Sequence, residues 1–181
     1  MKTLDLTEEH VVLVDDNGQE IGTAPKRSVH GTNTPLHLAF SCYIFNQRGE
    51  VLVTRRALGK KAWPGVWTNS FCGHPLPGES LANGVIRRAD FELGLTLEHG
   101  DIAAALPSFR YRAVDSTGIV ENEICPVFLA TTSGEPELNP DEAIEHAWAT
   151  PGALAGAVAA APWAFSPWLA LQMSEMESFR A

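Results

Sequence analysis

The sequence predicts an α+β fold, mainly antiparallel and mixed β-sheet flanked by helices. Three observations predict it. Apolar, β-branched runs recur in pairs around turn-forming stretches of four or five residues. One central stretch switches to a four-residue apolar repeat. The C-terminal region is rich in helix formers. The first pair is "HVVLVDDNGQEIGTAPK", where "DDNG" marks a hairpin turn. The second is "LHLAFSCYIFNQRGEVLVTRR", turning at "NQRGE"; its first arm is apolar on both faces and reads as a central strand. The Gly and Pro content of "KKAWPGVWTNSFCGHPLPG" reads as a loop. From Glu79 or Ser80 to Leu93 the pattern is helical: Leu81, Val85, Ala89 and Leu93 share one face, and Gly94 is a stop. Gly84 weakens that helix slightly. A third hairpin, "SFRYRAVDSTGIVENEICPVFLATT", turns at "DSTG". A short strand at "EHAWA", an alanine-rich helix, and a last helix in "APWAFSPWLALQMSEMESF" with Pro167 near its first turn complete the chain. There is no repeat, low-complexity tract or linker, so residues 1–181 read as one domain.

Composition excludes several classes. The hydrophobic fraction of 45% is ordinary for a globular protein, and no apolar run approaches the roughly 18 residues of a membrane span. "MKTLDLTEEH" is polar and acidic, unlike a secretory signal. Three cysteines without a CxxC pair form no disulfide framework, which points to a reducing cytoplasm. A net charge of -9 argues against nucleic acid as a partner, and it obliges any anionic substrate to find a local basic cluster. Oligomeric state leaves no trace in these features.

Five residues carry metal-ligand chemistry in or beside predicted strands. His30 and His37 bracket "GTNTPL", His74 follows Cys72 in "CGH", and Glu121 and Glu123 stand two apart on a strand, hence on one face. Three imidazoles and two carboxylates make a mixed nitrogen–oxygen set suited to Mn²⁺, Mg²⁺ or Zn²⁺. On residue type alone Cys72 reads as an inert thiol, Arg56 and Lys60 as a solvated pair, and Arg88 and Glu92 as a helix surface pair.

A second pattern joins these segments. From Gly73, five residues lead to Glu79 and seven more to Arg87, followed by "RADFELGL". This spacing resembles the Nudix box, a loop–helix–loop for metal-bound diphosphates. In hydrolases with that box, glutamates of the Arg-Glu-x-x-Glu-Glu core bind the metal. Here Arg88 and Phe91 occupy two of those positions and only Glu92 remains.

The stretches "HLAF", "VTRRAL.KKAWPG.WTNS.CGHP..GE", "FRYRA.D..GIVENE.CPVF" and "PWAFSPW" resemble the type 1 isopentenyl-diphosphate isomerases, a Nudix-fold family, from about His10 to Trp168. The resemblance implies a Nudix-type fold. It also implies interconversion of isopentenyl and dimethylallyl diphosphate, in isoprenoid biosynthesis, through a tertiary carbocation. It assigns Cys72 and Glu123 as proton carriers, with Tyr111 hydrogen-bonded near Glu123. It makes His30, His37, His74, Glu121 and Glu123 the ligands of one divalent metal. It puts a second ion, Mg²⁺, between the diphosphate and Glu92, with the Cys72 backbone carbonyl nearby. Lys26, Arg56, Lys60 and Arg88 become the basic cluster, and Trp163 the aromatic shield of the cation. Cys42 and Cys125 stay buried apolar residues. Phe109, Tyr111 and Ala113 share a strand face, so Tyr111 can reach the pocket of Glu123. A Nudix diphosphate hydrolase is the competing activity, and a non-catalytic metal-binding module the competing class.

Overall fold

A computed structural model describes residues 9–179; the reading of "MKTLDLTEEH" falls largely on residues 1–8 and lies outside them. The first hairpin forms as expected from β1 (His10–Val14) and β2 (Glu20–Pro25). One helical turn, α1 (Lys26–Val29), delivers His30, and β3 (His37–Leu38), β4 (Phe40–Phe45) and β5 (Val51–Arg56) follow. The stretch read as loop contains two short strands, β6 (Trp67–Thr68) and β7 (Phe71–Gly73). Helix α2 (Leu81–Leu93) begins where Ser80 Oγ accepts the Asn83 N–H and ends at Gly94, whose φ of 61° is the left-handed cap expected of glycine. The rest comprises β8 (Ile102–Leu106), β9 (Arg110–Val114), β10 (Val120–Ile124), β11 (Val127–Thr131), β12 (Ala143–Ala149), α3 (Pro151–Ala160) and α4 (Pro167–Glu175). β8 has no counterpart in the sequence reading, because "IAAAL" carries a single β-branched residue, Ile102, and is otherwise alanine-rich with no aromatic residue.

Two mixed sheets result. One has the order β2-β1-β3-β10-β9, the other β12-β5-β4-β11-β8, with β6 on β5 and β7 on β4. The second predicted hairpin closes only at its turn, where Phe45 faces Val51. Beyond that point the chain of β6 and β7 wedges its arms apart. The Ser70 hydroxyl fills the gap in the ladder: it accepts the Ile44 N–H at 2.7 Å and donates to the Leu52 carbonyl at 2.7 Å. The third hairpin holds for β9 and β10, but Pro126 cannot donate to a ladder, and β11 crosses to the other sheet to pair in parallel with β4.

β4 is buried on both faces, as a central strand should be. Phe40, Cys42 and Ile44 pack with Val85, Ala89 and Leu93 of α2; Tyr43 packs with Trp168, Leu169 and Met173. Burying an aliphatic side chain of this kind contributes about 1.5–3 kcal/mol.

Gly84 is explained by this packing. A Cβ there would stand 2.8 Å from Cε1 of the fully buried Phe40, and one at Gly73 would stand 2.8 Å from Cζ of the same ring. Alanine would gain at most about 1 kcal/mol of helix propensity. Overpacking costs about 1–3 kcal/mol and wins. Gly84→Ala should therefore lower the midpoint of denaturant unfolding, with Phe40→Leu restoring part of the loss; a raised midpoint in Gly84→Ala alone would contradict this packing account.

Candidate active site

Strand register assembles the five metal-type residues. β3 and β10 run parallel with His37 opposite Glu123, and β9 runs antiparallel to β10 with Tyr111 opposite Glu123. His37, Glu123 and Tyr111 therefore form one row across the sheet, on one face. His30 arrives from the end of α1, and His74 from the residue after β7. Ligand atoms of His30, His37, His74 and Glu123 all lie within 4.8 Å of one another. Glu121 joins through Oε2, 3.0 Å from His30 Nε2.

The donor set fits a divalent cation. Ligands about 2.0–2.2 Å from a common ion stand roughly 3–4.5 Å apart. The Nε2 atoms of His37 and His74 face each other at 3.2 Å, and Glu123 Oε1 lies 3.2 Å from His74 Nε2 and 3.4 Å from His37 Nε2. His37 Nδ1–H donates to the Pro35 carbonyl at 2.9 Å, which fixes the ring with Nε2 aimed at the cluster. His30 Nε2 and Glu121 Oε2 are buried and, beyond their 3.0 Å contact with each other, have no hydrogen-bond partner among the described residues. Burial pushes the His74 imidazole down to about 3, so it is neutral and competent as a ligand. Burial opposes charge on Glu123 as well, but hydrogen bonds from His37 and His74 outweigh it and hold the carboxyl well below the usual carboxylate range.

Glu123 divides its two oxygens. Oε1 faces the histidines, while Oε2 accepts the Tyr111 hydroxyl at 2.9 Å. Burial, reinforced by Glu123 and Glu121, raises Tyr111 well above the usual phenol range, so it stays a donor. Cys72 lies on β7 opposite Ser41 of β4. Its sulfur is 3.2 Å from Ser41 Oγ and donates to Asn69 Oδ1 at 3.2 Å. Burial pushes this thiol up to about 12, against the partial relief of those two hydrogen bonds, so Cys72 carries its proton at neutral pH. Cys42 and Cys125 are buried, as expected; burial raises both.

Cys72, Tyr111, Glu121 and Glu123 line one cavity of about 230 Å³, together with Lys26, Arg56, Lys60 and Arg88. The expected basic cluster is thus assembled, and it comes with carboxylates. Lys26 Nζ lies 2.6 Å from Glu9, Lys60 pairs with Glu142, and Arg88 Nη2 lies 2.7 Å from Glu92 and 3.1 Å from Glu142. Arg56 instead donates to the carbonyls of Ala62 and Trp63. Arg88 Nη1 is buried with no hydrogen-bond partner among the described residues. Glu142 escaped the sequence reading, because nothing in "NPDEAIE" links it to the box. Arg88 and Lys60 overcome its burial and hold its carboxyl down at about 2. Glu92 stands on Arg88 and outside the five-residue cluster.

A NUDIX domain matches residues 35–169. The chain is 65% identical over 164 residues to the isopentenyl-diphosphate Delta-isomerase of Agromyces mediolanus, covering 91% of this chain and 79% of that one. It is 53% identical to the protein of that name from Klebsiella pneumoniae, covering 96% of this chain and 93% of the relative. The chain belongs to the isopentenyl-diphosphate Delta-isomerase family. Its fold is that of NUDIX proteins: a NUDIX hydrolase from Alicyclobacillus acidocaldarius superposes with a TM-score of 0.57 at 15% identity, over 76% of this chain and 89% of that one, and DR0079 from Deinococcus radiodurans with a TM-score of 0.72 at 19% identity, over 93% and 99%.

Within this isomerase family chain the box helix keeps a structural pair and loses the hydrolytic set. Arg87 grips Glu79 with two bonds of 2.8 and 2.7 Å and donates to the His74 carbonyl at 3.1 Å, tying the Cys72–His74 loop to α2. Arg88 and Phe91, at two glutamate positions of the box, pack on each other, with the guanidinium carbon 4.9 Å from the ring centroid.

One expected residue lies elsewhere. Trp163 is 79% exposed, in the short turn before α4, and is not part of the cavity wall. Trp168 takes the wall instead: it is 2% exposed, its ring centroid is 5.7 Å from that of Tyr111, and the Arg56 guanidinium lies 5.2 Å from it. "PWAFSPW" holds both tryptophans. Pro167 at the first position of α4 turns Trp168 inward, a distinction made by the helix start and not by residue type.

Two outcomes follow from this geometry. Dialysed protein should carry about one tightly held divalent ion per chain by elemental analysis, and His37→Ala should bring it to background, since ligation depends on a complete set. Unchanged stoichiometry in His30→Ala, His37→Ala and His74→Ala would count against a shared site. Trp168→Ala should cost about 3–5 kcal/mol of unfolding free energy. Trp163→Ala should stay within about 0.5 kcal/mol; equal losses would reverse the placement of the two rings.

Proposed function

We propose that this chain interconverts isopentenyl and dimethylallyl diphosphate by protonation and deprotonation, with residues 1–181 acting as one domain. The single observation that carries this reading is that Cys72 and the Glu123–Tyr111 pair line the same cavity as Lys26, Arg56, Lys60 and Arg88. A proton adds to the terminal alkene carbon, a tertiary cation forms, and a proton leaves the adjacent carbon. The chemistry needs one group that holds a proton and one that can take it. Cys72 is the protonated member and Glu123 the anionic member in the resting chain. Reversal of the reaction exchanges their roles. Glu123 Oε2, turned to the Tyr111 hydroxyl, is the oxygen left free for proton transfer.

The basic residues hold the diphosphate, with the unpartnered Arg88 Nη1 as a buried donor for one of its oxygens. Trp168 replaces Trp163 as the aromatic face toward the cation; a desolvated cation over such a face gains about 2 kcal/mol. Trp168 and Tyr111 also keep water from the cation, which would otherwise be trapped as an alcohol. His30, His37, His74, Glu121 and Glu123 would hold one ion, Mn²⁺, Mg²⁺ or Zn²⁺; Glu92, with the Cys72 carbonyl, would hold Mg²⁺ together with the diphosphate. When bound, these ions supply positive charge to a carboxylate-rich pocket and to the substrate phosphates.

Incubation with isopentenyl diphosphate and Mg²⁺ should yield dimethylallyl diphosphate with no phosphate above background. Cys72→Ala should lower turnover by at least about a thousandfold, roughly 4 kcal/mol, at unchanged metal content. Steady phosphate release matching isomerisation and lost in Glu92→Gln would install the hydrolase reading. Cys72→Ala retaining more than about a tenth of the wild-type rate, under roughly 1.4 kcal/mol, would remove Cys72 as a proton carrier.

A further inference from the structure

Behind the cavity wall lies a side chain that touches neither the cavity nor the metal-type cluster. Asn69, between β6 and β7, is fully buried and uses its whole hydrogen-bonding capacity. Its amide nitrogen donates to the Cys42 carbonyl at 3.0 Å and the Phe71 carbonyl at 2.7 Å. Its oxygen accepts from the Thr68 hydroxyl at 2.9 Å, the Trp168 indole N–H at 3.1 Å and the Cys72 thiol at 3.2 Å. The amide orientation is unambiguous. Carbonyls can only accept and an indole N–H can only donate, so nitrogen and oxygen cannot be exchanged.

We propose that Asn69 is a positioning residue for the isomerisation: its one oxygen holds the Cys72 thiol and the Trp168 ring at a fixed separation on the same wall. The proposal rests on the isomerase reading given above. The alkene carbon that exchanges a proton with Cys72 is the one whose neighbour becomes cationic, so the sulfur and the aromatic face must be set relative to each other. The two come from distant parts of the chain, β7 and α4, and Asn69 is a direct hydrogen-bonded link between them. Thr68 strengthens the same link, since its hydroxyl lies 2.8 Å from Ser166 Oγ and the Ser166 N–H donates to the Trp67 carbonyl at 2.8 Å. Ser41 braces the sulfur from the other side and is itself held by Gln172 of α4 at 2.9 Å. A reacting geometry misplaced by about 1 Å can cost about a hundredfold in rate.

The test reads the thiol directly. The infrared S–H stretch of Cys72, taken as the difference between wild type and Cys72→Ala, should lie at the lowered frequency of a hydrogen-bonded thiol. In Asn69→Leu it should rise toward the free-thiol frequency. In the same variant kcat should fall by about thirtyfold or more while KM stays within about threefold, because the basic cluster is untouched. Thr68→Val removes one of the three donors that share the Asn69 oxygen and leaves the amide nitrogen's two bonds intact, so the thiol's bond strengthens and its band should lie lower than in wild type. A Cys72 band unmoved in Asn69→Leu, or kcat within about threefold of wild type, or kcat and KM damaged in parallel, would overturn the proposal. Where Asn69→Leu does not fold, the other two spectra decide: a free-thiol band in wild type, or no change in Thr68→Val, overturns it. The infrared result needs no turnover, so loss of the isomerase reading would appear separately, as wild-type protein without product.

Discussion

In the proposed isomerisation the carboxylate of Glu123 has to meet two demands that conflict on a single oxygen. A group bound into a cluster of imidazoles is held anionic, whereas a proton carrier must be able to gain and lose a proton. The fold separates these demands in space, turning Oε1 to His37 and His74 and Oε2 to Tyr111. That division depends on register. His37 and Tyr111 flank Glu123 on adjacent strands, and a slip of one residue would send the side chain to the opposite face. The sheet crossover at Pro126, the single turn of α1 and the wedge of β6 and β7 all serve to bring partners to this one row.

Asn69 and Ser70 show how the wedge is made tolerable. Two strands forced apart leave backbone groups without partners, and a buried orphan of that kind costs about 1–3 kcal/mol. Ser70 supplies both missing bonds of β4 and β5, and Asn69 satisfies the carbonyls of Cys42 and Phe71. The same short segment thereby repairs the sheet and carries Cys72 to the pocket. The placement of Cys72 and the repair of the sheet are one set of hydrogen bonds.

Local signals in the sequence were legible, and long-range ones were not. Ser80, the four-residue apolar repeat and Gly94 announce α2 because capping and periodicity act within a few residues. Glu121 and Glu123 read as one face because alternation is intrinsic to a strand. The parallel pairing of β3 with β10, by contrast, joins segments some eighty residues apart through no local rule. The family resemblance supplied that juxtaposition of His37 and Glu123, and periodicity could not have done so. The loop reading of β6 and β7 failed because their ladders are very short and are completed by side chains. Trp163 and Trp168 share a motif and a residue type; only the helix start at Pro167 separates the exposed ring from the buried one. Glu142 has its meaning only through Arg88 and Lys60.

The carboxylates beside the basic residues alter what the pocket can accept. Lys26, Lys60 and Arg88 come already supplied with internal counterions in Glu9, Glu142 and Glu92. A bare basic cleft attracts any anion of suitable size. Here an arriving anion meets three cations already balanced and a fourth, Arg56, bonded to carbonyls and without a carboxylate of its own, so most of its charge is a surplus in a medium that screens poorly. That surplus is offset only by a cation that travels with it. In the proposed reaction this would favour a diphosphate that arrives with its metal over the naked anion.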